Sequence, residues 1–182
     1  TVSSALFSPD GKNIITASRD QNVRIWDAAT GAELSEIKGP NGWIRTAAYS
    51  PDGSNIVTAS EDQTASVWNA ATGEQLRQFT GHSYDVNTAA FSPDGSSIVT
   101  AGEDGNARIW SKATGEEVRK LAGHTGPVAT AAYSPDGKNI VTASADQTAR
   151  IWNADTGAEQ AQLTGHSGAV NAAAYSPDGK RI

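Results

Sequence analysis

Residues 85–126 read DVNTAAFSPDGSSIVTAGEDGNARIWSKATGEEVRKLAGHTG. Four short strands are written into this stretch. The first runs from about Val86 to Ser92 and is followed by Pro93-Asp94-Gly95, where Pro presets φ and Gly accepts a positive φ. The second, about Ser97 to Gly102, carries the β-branched pair Ile98 and Val99, and Glu103-Asp104-Gly105 supplies a tight hairpin turn. The third, about Ala107 to Trp110, ends before Ala113-Thr114-Gly115 turns the chain again. The fourth, about Glu117 to Leu121, runs out at Gly123-His124. Turns this close together, with no sustained 3.6-residue apolar period, predict an all-β chain.

The same pattern fills the rest of the sequence. Ser8-Pro9-Asp10-Gly11 recurs at Ser50, Ser92, Ser134 and Ser176, a step of 42 residues each time. Trp26, Trp68, Trp110 and Trp152 keep the same step. Residues 43–84 and 127–168 match at 28 of 42 positions, which points to recent duplication or deliberate construction. The units are therefore expected at 1–42, 43–84, 85–126 and 127–168, with 169–182 a partial fifth copy of residues 1–14, covering strand a and the start of strand b. A single four-stranded unit cannot bury both its faces, but repeated units can by stacking around an axis. Ala-rich first strands, as in Thr46-Ala47-Ala48-Tyr49, suit the crowded centre.

These motifs together resemble the WD-repeat β-propeller family: Gly-His before the first strand, Ser-Pro-Asp-Gly after it, Asp in the second hairpin turn and Trp closing the third strand. The Trp-Asp pair itself stands only at Trp26-Asp27. The resemblance implies a β-propeller of four-stranded antiparallel blades, here four whole blades plus the start of a fifth. It also implies a hydrogen-bonded latch in each blade, made of His, Ser, Asp and Trp. The fourth blade has His124, Ser144, Asp146 and Trp152. The third has His82, Asp104 and Trp110 but Gly102 in place of Ser. The second has Ser60, Asp62 and Trp68 but Pro40 in place of His, and the first has Ser18, Asp20 and Trp26. The fourth blade is thus expected to be the most firmly latched.

Other chemistries find little support. His124, Ser144 and Asp146 are the residue types of a hydrolase triad, but the same types recur from blade to blade as a latch would, and no nucleophile-elbow motif is present. No catalytic residues are expected, and the chain is not expected to be an enzyme. The three His residues lie 42 apart without neighbouring carboxylates in ligand spacing, and Cys is absent, so neither a metal nor any other cofactor is expected. A net charge of −6 with no Lys/Arg cluster argues against nucleic acid as a partner. No apolar run approaches the ~20 residues of a membrane helix. The lack of Cys and of a secretory signal favours a cytoplasmic setting.

Where the copies differ, a site is sought. By the resemblance, the rim called the top exposes Thr1, Ser3 and Arg19 in the first blade and Pro127, Ala129 and Ala145 in the fourth. The second blade stands apart. Trp43 is the one Trp outside the strand-closing series, and its loop, Gly39-Pro40-Asn41-Gly42, lacks Gly-His. Trp and Arg are enriched in binding hot spots. Trp43, Arg45, Glu61, Tyr84, Asp85, Asn87 and Glu103 are expected to form a mixed aromatic and acidic patch for a protein or peptide partner. The function expected is a non-catalytic interaction scaffold. The alternative is an engineered or excised repeat array, beginning at an arbitrary point, whose main property is self-assembly, for example into an eight-bladed homodimer. Four blades of this family are expected to leave an open arc, whose two end faces expose Ile15, Ile25, Val141 and Ile151 and so favour self-association.

Overall fold

The computed structural model describes residues 1–39 and 41–182; Pro40 lies outside the described residues. Sixteen strands form four separate antiparallel sheets. The first holds β1 (Val2–Phe7), β2 (Asn13–Ser18), β3 (Asn22–Asp27) and β4 (Glu33–Lys38). The second holds β5 (Ile44–Tyr49), β6 (Asn55–Ser60), β7 (Thr64–Asn69) and β8 (Gln75–Thr80). The third holds β9 (Val86–Phe91), β10 (Ser97–Gly102), β11 (Asn106–Ser111) and β12 (Glu117–Ala122). The fourth holds β13 (Val128–Tyr133), β14 (Asn139–Ser144), β15 (Ala149–Asn153) and β16 (Glu159–Leu163). Strands pair in sequence order within each sheet, so each is a blade-like meander.

The Ser-Pro-Asp-Gly turn is closed by its own side chains. Ser50 Oγ donates to Asp52 Oδ1 and accepts from Asn55 N, while Asp52 Oδ1 accepts from Ser54 N at 3.0 Å. The Ser50 hydroxyl, followed by the Ser54 amide, holds the Asp52 carboxyl down at about 2. Gly53 takes φ +72°, the left-handed conformation the turn requires.

The core lies between sheets. Ile15, Val23, Ile25 and Ile37 of the first sheet meet Ile44, Ile56 and Trp68 of the second. Val57, Val67 and Phe79 of the second meet Val86, Ile98 and Trp110 of the third. Val99, Ile109 and Leu121 of the third meet Val128, Ile140 and Trp152 of the fourth. Each Trp from the second sheet onward therefore packs against the sheet before it. Alternation along the strands decides which apolar residues are left uncovered. Ile15 and Ile25 point toward the second sheet and are buried, contrary to the expectation that they would be exposed. Val2 (61% exposed) and Phe7 occupy the uncovered face instead, where the corresponding Ile44, Val86 and Val128 are fully buried.

Residues 164–182 form no strand. They nevertheless lie against the fourth sheet. Val170 N donates to Ser144 O, and Val141, expected on an open face, is fully buried; Ile151 is half-buried. The Ser176 turn keeps its bonds to Asp178 and Arg181. An ideal Cβ on Gly53, Gly95, Gly137 or Gly179 would lie 3.7, 3.7, 3.6 or 3.5 Å from Cδ of the proline one copy earlier. The last copy is thus seated at nearly the offset of the others.

The latch differs from the expected set in one member. In the fourth sheet Trp152 Nε1 donates to Thr142 Oγ1 at 2.8 Å, and Thr142 Oγ1 lies 2.7 Å from His124 Nε2. His124 Nδ1 is 2.8 Å from Asp146. Thr142, two residues before Ser144, is the hub. The pairing explains why: Trp152 opposes Ile140, so its indole reaches the diagonal neighbour at 142, and Ser144 is a further ~7 Å along the strand. Ser144 Oγ instead donates to the carbonyls of Gly126 and Pro127 and accepts from Asp146 N, tying the turn to the incoming loop.

The third sheet has the same Thr, His, Asp and Trp contacts, without the three turn bonds that Ser144 makes in the fourth. His82 bridges Asp104 (3.0 Å) and Thr100 (2.7 Å), and Trp110 donates to Thr100. A Cβ at Gly102 would fall 2.5 Å from His82 Nδ1, so glycine makes room for the imidazole. In the first two sheets Trp26 and Trp68 still donate to Thr16 and Thr58, without a histidine on the far side. There Asp20 accepts from Arg24, and Asp62 from Thr64. Ser18 and Ser60 accept from the amides of Asp20 and Asp62, the same turn role as Ser144.

The hydroxyl chain is complete only with a neutral imidazole: Trp Nε1–H to Thr, Thr O–H to Nε2, and Nδ1–H to Asp. Burial lowers His82 and His124 below 6.5, outweighing the neighbouring carboxylates that oppose it. Burial also opposes ionisation of Asp146, but bonds from Thr148, His124 and Thr125 hold its carboxyl well below the usual range.

Two predictions follow from the latch. Thr142→Val leaves the Trp152 and His124 ring nitrogens unsatisfied and should cost about 1–3 kcal/mol in urea unfolding. Ser144→Ala leaves that chain intact and should cost less. For pH, the unfolded chain takes up protons on these histidines before the fold does. Their contribution is present above pH 6.5 and is lost as pH falls below it, with a slope of at most about 1.4 kcal/mol per pH unit for each His. The carboxylate contribution is lost separately, below about pH 3.8. Urea midpoints measured from pH 8 to 5 should fall, and the fall should be shallower in His124→Gln.

Candidate functional site

Each first strand begins with a bulge. Ile44 pairs with Ser60 and Thr46 with Ala59, leaving Arg45 as the extra residue. The same shift isolates Asn87 in β9 and Ala129 in β13. A bulge re-aims a side chain out of the pleat. Here it turns Arg45 and Asn87 onto the rim where the loops entering β5 and β9 meet the hairpin turns. Those turns are clamped in place: Glu61 N donates to Trp43 O at 3.0 Å and Glu103 N to Asp85 O at 2.9 Å. Gly42 packs so closely under the turn that a Cβ there would fall 2.6 Å from Asp62 N.

Arg45 sits at the centre of the expected patch. Its guanidinium contacts Asp85 at 2.8 Å, Glu61 at 3.2 Å and Glu103 at 3.5 Å, and donates to Asn87 Oδ1 at 3.0 Å. Asn87 in turn donates to Val128 O at 2.9 Å, extending the chain of contacts from the second sheet to the fourth. Three carboxylates surround one guanidinium, so the cluster has a formal charge of −2. All of its members remain partly accessible. Arg45 therefore organises acidic groups and is not a free cation awaiting a ligand.

The aromatic members lie beside this cluster. Trp43 is 42% exposed, and the Arg19 guanidinium sits 4.6 Å from its ring centroid. Such a cation over an exposed indole is worth about 0.5–1 kcal/mol and restrains the ring without covering both its faces. Arg19, Trp43, Arg45 and Glu61 line an open cleft of about 350 Å³ together with Thr1 and Ser3. Tyr84, 63% exposed, projects from the loop entering β9. The cation–π contact of Arg19 is not legible from the sequence, because it joins residues of different copies.

The His–Asp pairs offer no comparable chemistry. His124 Nε2 faces Thr142, which is fully buried, and Ser144 Oγ is turned to backbone carbonyls. Among the described residues no three His, Asp or Glu side chains are placed to hold a metal ion.

Comparison with known proteins bears on the whole chain and on parts of it. A family model described as the TolB beta propeller domain matches residues 1–182. Nuclear distribution protein nudF 1 of Talaromyces marneffei is 48% identical over 46 residues, 25% of this chain and 10% of that protein. An uncharacterized WD repeat-containing protein of Nostoc sp. is 46% identical over 46 residues, 25% of this chain and 3% of that protein. Nuclear distribution protein PAC1 of Candida tropicalis is also 46% identical over 46 residues, 25% of this chain and 9% of that protein. This chain thus matches a tenth or less of the length of each of these relatives. The match over all 182 residues, on four antiparallel four-stranded sheets, places the chain in the TolB β-propeller domain family, with WD-repeat proteins among its relatives.

Proposed function

We propose that the chain is a non-catalytic protein-interaction scaffold that engages a protein or peptide through its top-rim loops. The observation that carries this reading is the Arg45 cluster with Trp43 and Tyr84 beside it: two exposed aromatics next to an acidic surface that is fixed in place. Aromatic anchors beside oriented charges are the usual composition of a hot spot, and loops on a rigid frame are where binding resides. The acidic excess favours a partner segment that carries positive charge next to an apolar residue. The similarity to a WD repeat-containing protein supports the scaffold reading. In affinity capture quantified by mass spectrometry, proteins retained by the wild type should be retained by Gln160→Ala, on the exposed β16. They should fall about tenfold or more with Trp43→Ala/Tyr84→Ala. Partners that stay with the double variant would place the binding surface elsewhere.

A second reading, self-assembly into a closed propeller, is favoured by the uncovered face of the first sheet. Val2 and Phe7 are 61% and 64% exposed there, and Ile14 and Trp26 are only half-buried, whereas their counterparts Ile56 and Trp68 are covered. Light scattering across a dilution series should give a constant mass of two chains if a second copy covers this face, and Phe7→Glu should return the mass to one chain. A wild-type monomer at every concentration would exclude this assembly.

A further inference from the structure

A seam runs between consecutive sheets on the side away from the rim, and one of the positions at which the three seams differ decides whether an arginine crosses it. Between the second and third sheets, Arg77 of β8 crosses the seam. Its Nη2 donates to Ala113 O at 2.7 Å and its Nη1 to Thr114 O at 3.4 Å. Its stem lies over Gly115, where a Cβ would fall 2.9 Å from Arg77 Cδ. Between the third and fourth sheets, Arg119 of β12 also crosses, but reaches one turn carbonyl: its Nε donates to Asp155 O at 3.0 Å while its Nη1 donates to Val118 O of its own strand. Between the first and second sheets the corresponding residue is Ser35 of β4, which opposes Ile25 as Arg77 opposes Val67 and Arg119 opposes Ile109. Serine cannot span the seam.

The accepting half is nevertheless present. Ala71-Thr72-Gly73 repeats the turn of Ala113-Thr114-Gly115, with Gly73 at φ +71° and Gly115 at φ +81°. The groove left open holds about 810 Å³, against about 540 Å³ for the equivalent groove between the third and fourth sheets, which carries Arg119. Its charged lining residues are Asp52 and Asp10, the latter paired with Lys12 at 3.8 Å, whereas the other two seams also contribute Lys112 and Lys138. Leu34, 55% exposed, forms part of its wall. Tyr49 Oη, shielded from solvent on the same groove, has no hydrogen-bond partner among the described residues.

We infer that this groove is a second docking site, and that its occupant is an arginine side chain of a protein partner. The incoming guanidinium takes the place that Arg77 and Arg119 fill from within the chain, donating to the carbonyls of Ala71 and Thr72. Its aliphatic stem lies over Gly73, as that of Arg77 lies over Gly115. Guanidinium suits this cradle better than ammonium, because a planar fork can address two adjacent carbonyls while a point charge cannot.

The test is a nitrogen-15 NMR titration with acetyl-Gly-Arg-Gly-amide, set against the lysine and citrulline analogues. The arginine peptide should give saturating shifts at the amides of Ser35, Thr72 and Gly73, and citrulline should give none there. Lysine should bind about tenfold more weakly. Ser35→Arg, which fills the groove from within, should abolish those shifts. Arg is already accommodated at the two corresponding positions, so this variant is expected to fold. Arg77→Ser should open a new site with shifts at Thr114 and Gly115. No saturating shift up to the solubility of the peptide, equal binding of the lysine analogue, or shifts unchanged by Ser35→Arg would each overturn the proposal.

Discussion

Each sheet has two apolar faces and can bury neither alone, and every other feature of this molecule rests on how that is resolved. Trp68, Trp110 and Trp152 pack against the sheet before them, while Ile15, Val57 and Val99 point toward the sheet after. Burying one such face of apolar side chains contributes on the order of 1.5–3 kcal/mol for each large residue. Neighbouring sheets therefore stabilise one another, and stability is shared along the row. The rim and the seams are the two ends of the same interfaces.

The latches act on top of that packing. A threonine hydroxyl inside the sheet satisfies an indole N–H, and in the third and fourth sheets it also engages a histidine from the incoming loop. The loop, the hairpin turn and the third strand then move as one body. This matters because rim residues are displayed on those loops and turns. A rim held in place loses less conformational entropy when a partner docks than one that must be ordered by it.

Much of this was legible in the sequence, for reasons that can be stated residue by residue. Ser50, Pro51, Asp52 and Gly53 encode their turn locally, and the repeated tryptophans mark one strand in each sheet. The convergence of Arg45, Glu61, Asp85, Asn87 and Glu103 was also expected, although the role of Arg45 as their organiser was not. What failed depended on contacts between elements. Ser144 and Thr142 lie on the same face of one strand, so sequence alone did not decide which one the indole reaches. Gly102 reads as a lost hydroxyl until His82 is seen to occupy the space of its missing Cβ. Strand alternation puts Ile15 and Ile25 on one face of their sheet but does not reveal that the second sheet covers that face. Gln21, Gln63 and Gln147 adopt the positive φ that Gly105 takes in the third sheet, a conformation that glutamine gives no hint of.

A chain built from near-copies offers its own internal control. A side chain found in every copy answers a need of every sheet, so Thr16, Thr58, Thr100 and Thr142 are explained by the tryptophans they satisfy. A side chain that changes at one copy, while its surroundings do not, has been released from that need. The seam between the first and second sheets carries two positions at which the copies differ. At its rim end Trp43 stands where other copies have Asp85 and Pro127, and it is exposed beneath Arg19. At its far end Ser35 stands where the next two have arginine, and the cradle that arginine would fill is kept. Both ends are joined through the buried cluster of Ile15, Ile44 and Trp68. Neither change disturbs that cluster, and both leave uncovered surface at its margins. Packing alone gives no reason for either, which is why this seam is where recognition of other molecules is to be sought.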